Sequence, residues 1–241
     1  KYQSIAQMAH NICINEKSGE CAKKWLKFCQ QQSFNLSKMG DNQGMINYVN
    51  FSIALFEYQI YTQKNLDNVM QYVNMIHEMS QLFLRQRNGE MLQLISDKGR
   101  NLLEVAGDNE RVEDIVCSII TLQANYFFSS GQQENALKNY KEVIEKRSKY
   151  EESREWGKRL VIAADNERIA SAYTELNRLD EAKVHYEKAI SILENLDNCY
   201  TEEKLFGELV SAYMNYSVCL GKRGDTKTAL EKIKKASELI E

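Results

Sequence analysis

The chain has 241 residues, a net charge of −3 and no proline. Average usage would give about twelve prolines, and their absence beside only 11 glycines excludes a collagen-like strand or proline-rich linker and argues against a turn-rich β sandwich or barrel. The slightly acidic balance offers nucleic acid no basic surface, and no apolar run reaches the roughly 18–20 residues of a membrane span, so neither nucleic-acid binding nor membrane insertion is expected.

Proline is tolerated worst inside helices, where it lacks the N–H and clashes with the preceding turn. An all-α chain is the first expectation. The six cysteines, Cys13, Cys21, Cys29, Cys117, Cys199 and Cys219, form no CxxC pair, so no metal site is expected and they read as small core residues. Scattered free cysteines lean towards a reducing compartment, which makes a cytoplasmic location the expectation. The chain begins with Lys1 rather than Met, and is compatible with a signal or anchor upstream.

Glycine and polar clusters cut the chain near Ser18-Gly19, Gly40 to Asn42, Lys64-Asn65, Asn88-Gly89, Gly107 to Asn109, Gly131-Gln132, Ser153, Asn177-Arg178, Asn198 to Thr201 and Gly224-Asp225. Between these breaks apolar residues recur at helical spacing. Ala22, Trp25, Leu26, Cys29 and Ser33 form one stripe, and Ile46, Val49, Ile53, Phe56 and Ile60 a second. Leu179, Ala182, Tyr186, Ala189 and Leu193 form a third. Asp108, Thr201 and Asp225 suit N-caps, and Glu202 and Glu203 suit a first turn. About ten helices and no strand are predicted.

The later segments repeat one another. Gly131, Asn177 and Gly224 are each followed five residues on by an alanine, Ala136, Ala182 and Ala229. Four residues later come Tyr140, Tyr186 and Ile233, and three beyond those Val143, Ala189 and Ala236. Twelve residues before each alanine is another small residue, Ala124, Ala170 or Ser217, with Phe127, Tyr173 and Leu220 three further on. Small residues at these points let two antiparallel helices approach closely, while the large ones fill the space between neighbouring pairs.

This pattern resembles the tetratricopeptide repeat. Ala170 to Ile190 carries it best, Ser217 to Ala236 nearly as well, and Ala124 to Ile144 recognisably. Glu57 to Ile76 keeps the apolar spacing but has Val69 in place of the alanine, and reads as a degenerate repeat; Gly89 to Gly107 fits no repeat. The chain is thus expected to be one solenoid over 1–241, with a degenerate helical part at 1–107 and three long repeats at 108–241. The family period is about 34 residues, but the alanines here are 46 and 47 apart. The proline that tends to close each family unit is replaced by Ser148, Glu194 and Glu241. Without that stop the second helices are expected to run on, giving hairpins of helices about 20 residues long.

Little in the sequence suggests an enzyme. The histidines are His10, His77 and His185; His77-Glu78 lacks the second histidine of a zincin, and His185 falls on a helix facing away from the family's groove and reads as solvated. There is no phosphate-binding glycine motif, and Gly221 to Gly224 reads as a turn between helices. Lys138 to Arg159 carries eight basic and five acidic residues, the mark of a solvated, ion-paired face. No catalytic residue, metal or cofactor is assigned.

The resemblance implies binding instead. In the family, the first helix of each pair lines a concave face that takes a protein or peptide. The matching positions here are Thr121, Asn125 and Phe128, then Glu167, Arg168 and Ser171, then Met214, Asn215 and Lys222, with Tyr58 and Tyr61 in the degenerate repeat. Asn125 and Asn215 can bond a peptide backbone, and Arg168 can fork onto a carboxylate. The lysine–asparagine clamp of the chaperone-adaptor branch is broken, because Thr121, Arg168 and Ser211 stand where its residues would be. Long arrays of this kind resemble sensory or regulatory portions of bacterial signalling proteins, so the chain is expected to be a non-catalytic protein- or peptide-binding part of a larger protein. The alternative is a constitutive scaffold or oligomerisation module, with a homodimer through the terminal helices.

Overall fold

The computed structural model describes Asn11 and residues 20–62, 66–153, 155–196 and 202–240. Their regular structure is ten α-helices, with no strand among the described residues. In chain order these are α1 (Glu20–Met39), α2 (Asn42–Glu57), α3 (Val69–Arg85), α4 (Gly89–Ala106), α5 (Glu110–Ser129), α6 (Gln133–Arg147), α7 (Trp156–Glu175), α8 (Leu179–Glu194), α9 (Glu202–Arg223) and α10 (Thr226–Glu238). A π-helical turn, Tyr58–Thr62, prolongs α2, and 3-10 turns lie at Leu66–Asn68 and Ser148–Tyr150. The described residues divide into two compact units. One holds those up to Leu82 with Asp97–Val116, and the other holds Phe83–Ser96 with those from Cys117 onward.

Five connections share one backbone turn. Gly40, Arg87, Gly131, Asn177 and Gly224 all hold a positive φ, between 53° and 86°. At each, the residue after the turn donates its N–H five residues back: Asp41 to Leu36, Asn88 to Phe83, Gln132 to Phe127, Arg178 to Tyr173 and Asp225 to Leu220, at 2.8 to 2.9 Å. The positive-φ residue donates three back, as at Gly131 to Phe128. This double closure is the Schellman motif, and it satisfies carbonyls that the end of a helix would leave open. The acceptors Leu36, Phe83, Phe127, Tyr173 and Leu220 recur every 44 to 47 residues. The repeat therefore runs through the whole described chain as five helix hairpins, α1–α2 through α9–α10.

Two of the five escaped the alanine pattern. The position five residues after the turn is Met45 in α2 and Leu92 in α4, both buried, where the later hairpins have alanine. The small-residue position seven before the turn is nevertheless kept throughout, as Ser33, Ser80, Ala124, Ala170 and Ser217, all buried. A serine serves there because its hydroxyl turns back onto its own helix. Ser33 donates to the Gln30 carbonyl, Ser80 to His77 and Ser217 to Met214. The segment read as a degenerate repeat, Glu57 to Ile76, is instead the end of one hairpin and the start of the next. Gly89 to Gly107 is largely the second helix, α4, of a complete hairpin.

The long period does not come from overrunning second helices. In the last three hairpins the first helices have 20, 20 and 22 residues, but the second have 15, 16 and 13. The extra length sits in the first helices and in the connections between hairpins. Where these helices end, Ser148 Oγ donates to the Glu145 carbonyl at 2.7 Å and Asn195 Nδ2 to the Ser191 carbonyl at 2.8 Å, the same bonds that Ser33 and Asn166 make inside helices that continue.

Helix starts follow the same short-range logic. Asp41 accepts from Gly44 N, Asn88 from Met91 N and Asp225 from Thr228 N. The cap of α5 is Asn109, which accepts from Val112 N, rather than Asp108. Thr201 and the side chains of Glu202 and Glu203, like Cys13, Cys21, Cys199 and His10, lie outside what is described. Cys29, Cys117 and Cys219 are buried, and burial pushes the Cys29 thiol up to about 12.

In the second unit, neighbouring hairpins stack where α8 meets α9. Tyr186 of α8 is buried and stacks on Tyr216 of α9, with ring centroids 5.5 Å apart. Ala170 and Ala182 are fully buried where α7 meets α8. Ala182→Leu is therefore expected to cost about 1–3 kcal/mol in a urea unfolding titration, whereas Val184→Ala, at an exposed position two residues on, should leave the midpoint nearly unchanged.

Candidate ligand-binding site

The first helices α5, α7 and α9 frame a cavity of about 320 Å³ in the second unit. Asn125 and Phe128 reach it from α5, Tyr140 from α6, Ala164, Glu167, Arg168 and Ser171 from α7, and Glu208 from α9. Five of the eight are groove residues named from the sequence: Asn125, Phe128, Glu167, Arg168 and Ser171. Tyr140 was read only as a filler between helices, and its hydroxyl gives it the second role. Glu208 lies one turn before Ser211 on α9, so the helical register contained it.

Burial fixes the chemistry of the cavity's polar groups. Desolvation pushes the Tyr140 phenol up to about 12, so it remains a donor at ordinary pH. It donates to Asn125 Oδ1 at 2.7 Å. That sets the orientation of the Asn125 amide and leaves its Nδ2 donors without a partner among the described residues. In the next hairpin the equivalent pair is Tyr186 and Ser171, whose hydroxyl oxygens lie 3.2 Å apart.

Arg168 is held from below. Asp165 is buried and its two oxygens take two arginines: Arg147 NH1 of α6 at 2.9 Å and Arg168 NH1 at 2.8 Å. Arg147 also reaches Ser118 Oγ of α5 at 3.4 Å. The Asp165 carboxylate thus neutralises one arginine and leaves the pair with a net positive charge. The Arg168 side chain is 37% exposed, so its remaining guanidinium donors are open to the cavity. Across from it the Glu208 carboxylate makes no hydrogen bond or ion pair among the described residues. Glu167 is occupied, accepting from Ser211 Oγ at 3.1 Å and Asn215 Nδ2 at 2.6 Å.

The other residues named from the sequence lie elsewhere. Thr121 is buried and donates its hydroxyl to the Cys117 carbonyl. Asn215 meets the cavity only through Glu167, Lys222 pairs with Glu175 at 3.2 Å, and Met214 is exposed. Tyr58 and Tyr61 sit in the π turn that ends α2, a second rather than a first helix, and belong to the other unit. Among the described residues no cluster of three His, Cys, Asp or Glu side chains could hold a metal ion. No helix among them is long and apolar enough to cross a membrane.

A profile of the tetratricopeptide repeat matches residues 166–195, the second half of α7 with α8. No curated protein matches the sequence. Among solved structures, BtubC (BKLC) from P. vanneervenii is similar at a TM-score of 0.53 and 14% identity, over 90% of each chain. The MamA protein is similar at 0.52 and 13% identity, over 90% of this chain and 92% of that one. At such identities the likeness speaks for the fold. The repeated turn, the small residues on either side of it and the profile match coincide in α7–α8. Residues 166–195 thus form a tetratricopeptide repeat within an all-α helical-repeat fold. The fold class is the all-α solenoid, and a protein-interaction module is what that repeat supplies.

One tetratricopeptide position differs from its expected setting. His185 is half-buried rather than open to solvent; its Nδ1 lies 2.9 Å from Asn166 Oδ1, and its ring stacks on Tyr173 at 5.7 Å. Asn166 Nδ2 donates to the Ile162 carbonyl, which leaves Oδ1 to accept from the imidazole. Burial, then the nearby Lys188 and Lys141, lower the His185 pKa below its usual 6.5. A lowered folded-state value means that the unfolded chain binds the proton first. The stability is whole above about pH 6.5 and is lost as the pH falls towards the folded-state value. In His185→Gln this part of the pH dependence should disappear, as read from urea unfolding between about pH 7 and 5.

The buried charge cluster gives a second expectation. Asp165→Asn leaves Arg147 and Arg168 without their carboxylate, and should cost about 3–5 kcal/mol of unfolding free energy. Glu208→Gln, in contact with nothing charged, should leave it within about 0.5 kcal/mol.

Proposed function

We propose that this protein binds a short segment of another protein or a free peptide in the cavity between α5, α7 and α9, without catalysing a reaction on it. The observation that carries the reading is the pairing of an open amide with an open guanidinium. Tyr140 fixes Asn125 with its donors free, and Asp165 holds Arg168 at the cavity edge. Together they suit a peptide carbonyl and a nearby carboxylate, either an acidic side chain or a chain terminus. Phe128 and Tyr140 offer aromatic wall, and Glu208 offers an acceptor for a basic group on the same segment.

The role we infer is that of an interaction or sensory part of a larger signalling or regulatory protein. The three hairpins from α5 to α10 carry the site, and ligand contact with both α5 and α7 would bias how those hairpins stack.

A pool of short peptides with free C-terminal carboxylates, screened by thermal shift, tests the proposal. A binder should raise the melting temperature of the wild-type chain, and Arg168→Ala should weaken it by about ten- to a hundredfold. Asn125→Ala should weaken it too, and amidating the peptide C-terminus shows which carboxylate is read. A binder indifferent to both substitutions would place the contact elsewhere, and no response to the pool would count against peptide binding.

A further inference from the structure

The stacking face of each hairpin in the second unit can be followed position by position. On α8 it comprises Tyr186, Ile190 and Leu193, all buried, with Tyr216 of α9 stacked against Tyr186. On α6 it begins with Leu137 and Tyr140, both buried, and ends with Arg147, which α7 covers through Asp165. The equivalent residues at the end of the chain are Leu230 and Ile233 of α10 and Ile240 just after it, 61%, 43% and 72% exposed, with Ser237 where α8 has Ile190. The partner of the stacking tyrosine changes as well. Asn125 and Ser171 become Val218, which is exposed. Where earlier hairpins pair a tyrosine hydroxyl with a polar side chain, the α9–α10 hairpin presents only aliphatic carbon.

The charges beside this stripe have an order. Along one flank of α10 stand Lys227, Glu231, Lys234 and Glu238. The order of signs inverts when read backwards. Two copies of α10 laid antiparallel about a two-fold axis near Ile233 therefore bring Lys227 opposite Glu238 and Glu231 opposite Lys234, twice over. The only internal pair in this set, Lys234 with Glu238 at 3.7 Å, is exposed and weak. The opposite flank is already in use, since Lys232 lies over Tyr213 and Tyr216, and Lys235 bonds Glu194.

The geometry points to a second copy of this chain as the occupant: the apolar face of α10, with Val218 of α9, forms an isologous antiparallel contact with the same face of its partner. Like charges are absent from the centre of the stripe, and the flanking signs are self-complementary in that one orientation. A single helix face of this kind falls below the ~800 Å² per partner of a standard interface. The expected dimer is therefore weak, dissociating in the micromolar range.

Sedimentation velocity of the 241-residue chain, from about 1 to 500 µM, reads the equilibrium directly. The wild type should shift from monomer to dimer across this range. Ile233→Glu and Leu230→Glu, at exposed positions, should each weaken the dimer at least about tenfold with no change in melting temperature. Glu231→Lys alone sets lysine against Lys234 of the other copy and should weaken it. Adding Lys234→Glu restores opposite signs and should recover it. A chain that stays monomeric up to that concentration overturns the proposal and leaves this face to a different protein or a further segment of a longer chain. A dimer indifferent to Ile233→Glu, or one that the double charge exchange fails to rescue, overturns it as well.

Discussion

The close approach of two helices on either side of a positive-φ turn governs everything else in the molecule. The turn fixes the register: its N–H groups close onto carbonyls three and five residues back, so the first helix must end there. The register in turn places a small residue seven positions before the turn, where any larger side chain would force the backbones apart. Five hairpins satisfy both conditions with different residues. Glycine holds three of the turns, Asn177 and Arg87 the others. Asparagine tolerates the left-handed region through its short polar side chain. Arginine there carries the ordinary strain, and the adjoining Asn88 cap helps to hold it.

From that register follows the division of labour between helices. Second helices use one face against their own partner and one against a neighbouring hairpin, and their many charged residues stand on what is left exposed. First helices keep a face free of both. The cavity lies on those free faces, and its polar residues are held by groups on the buried side. Tyr140 orients Asn125, and Asp165 orients Arg168. The polar edge of the cavity is thus set by the contacts beneath it, where Asp165 lies buried between Arg147 and Arg168.

Much of this was legible from the residues. The turn positions, the alanines at 124, 136, 170 and 182, and five of the eight cavity residues come from local patterns of a few residues. Two hairpins went unseen because Met45 and Leu92 stand where the marker alanine would be, and because Ser80 does not look like a core residue until its hydroxyl is seen to bond within the helix. Missing proline was rightly a sign of helix but wrongly a sign of overrun. The second helices end at Arg147 and Glu194 with no proline there.

What the sequence determined by itself is the helical state and its punctuation, because capping, φ preference and side-chain size act over four or five residues. What only the tertiary structure decided is which faces are covered. His185 looked solvated and is packed against Asn166 and Tyr173. Tyr186 and Ile233 hold the same register position, yet one is buried and the other open. Burial depends on the helix across the interface, not on the residue itself, and that neighbour lies on another helix, beyond the four or five residues over which a local rule acts.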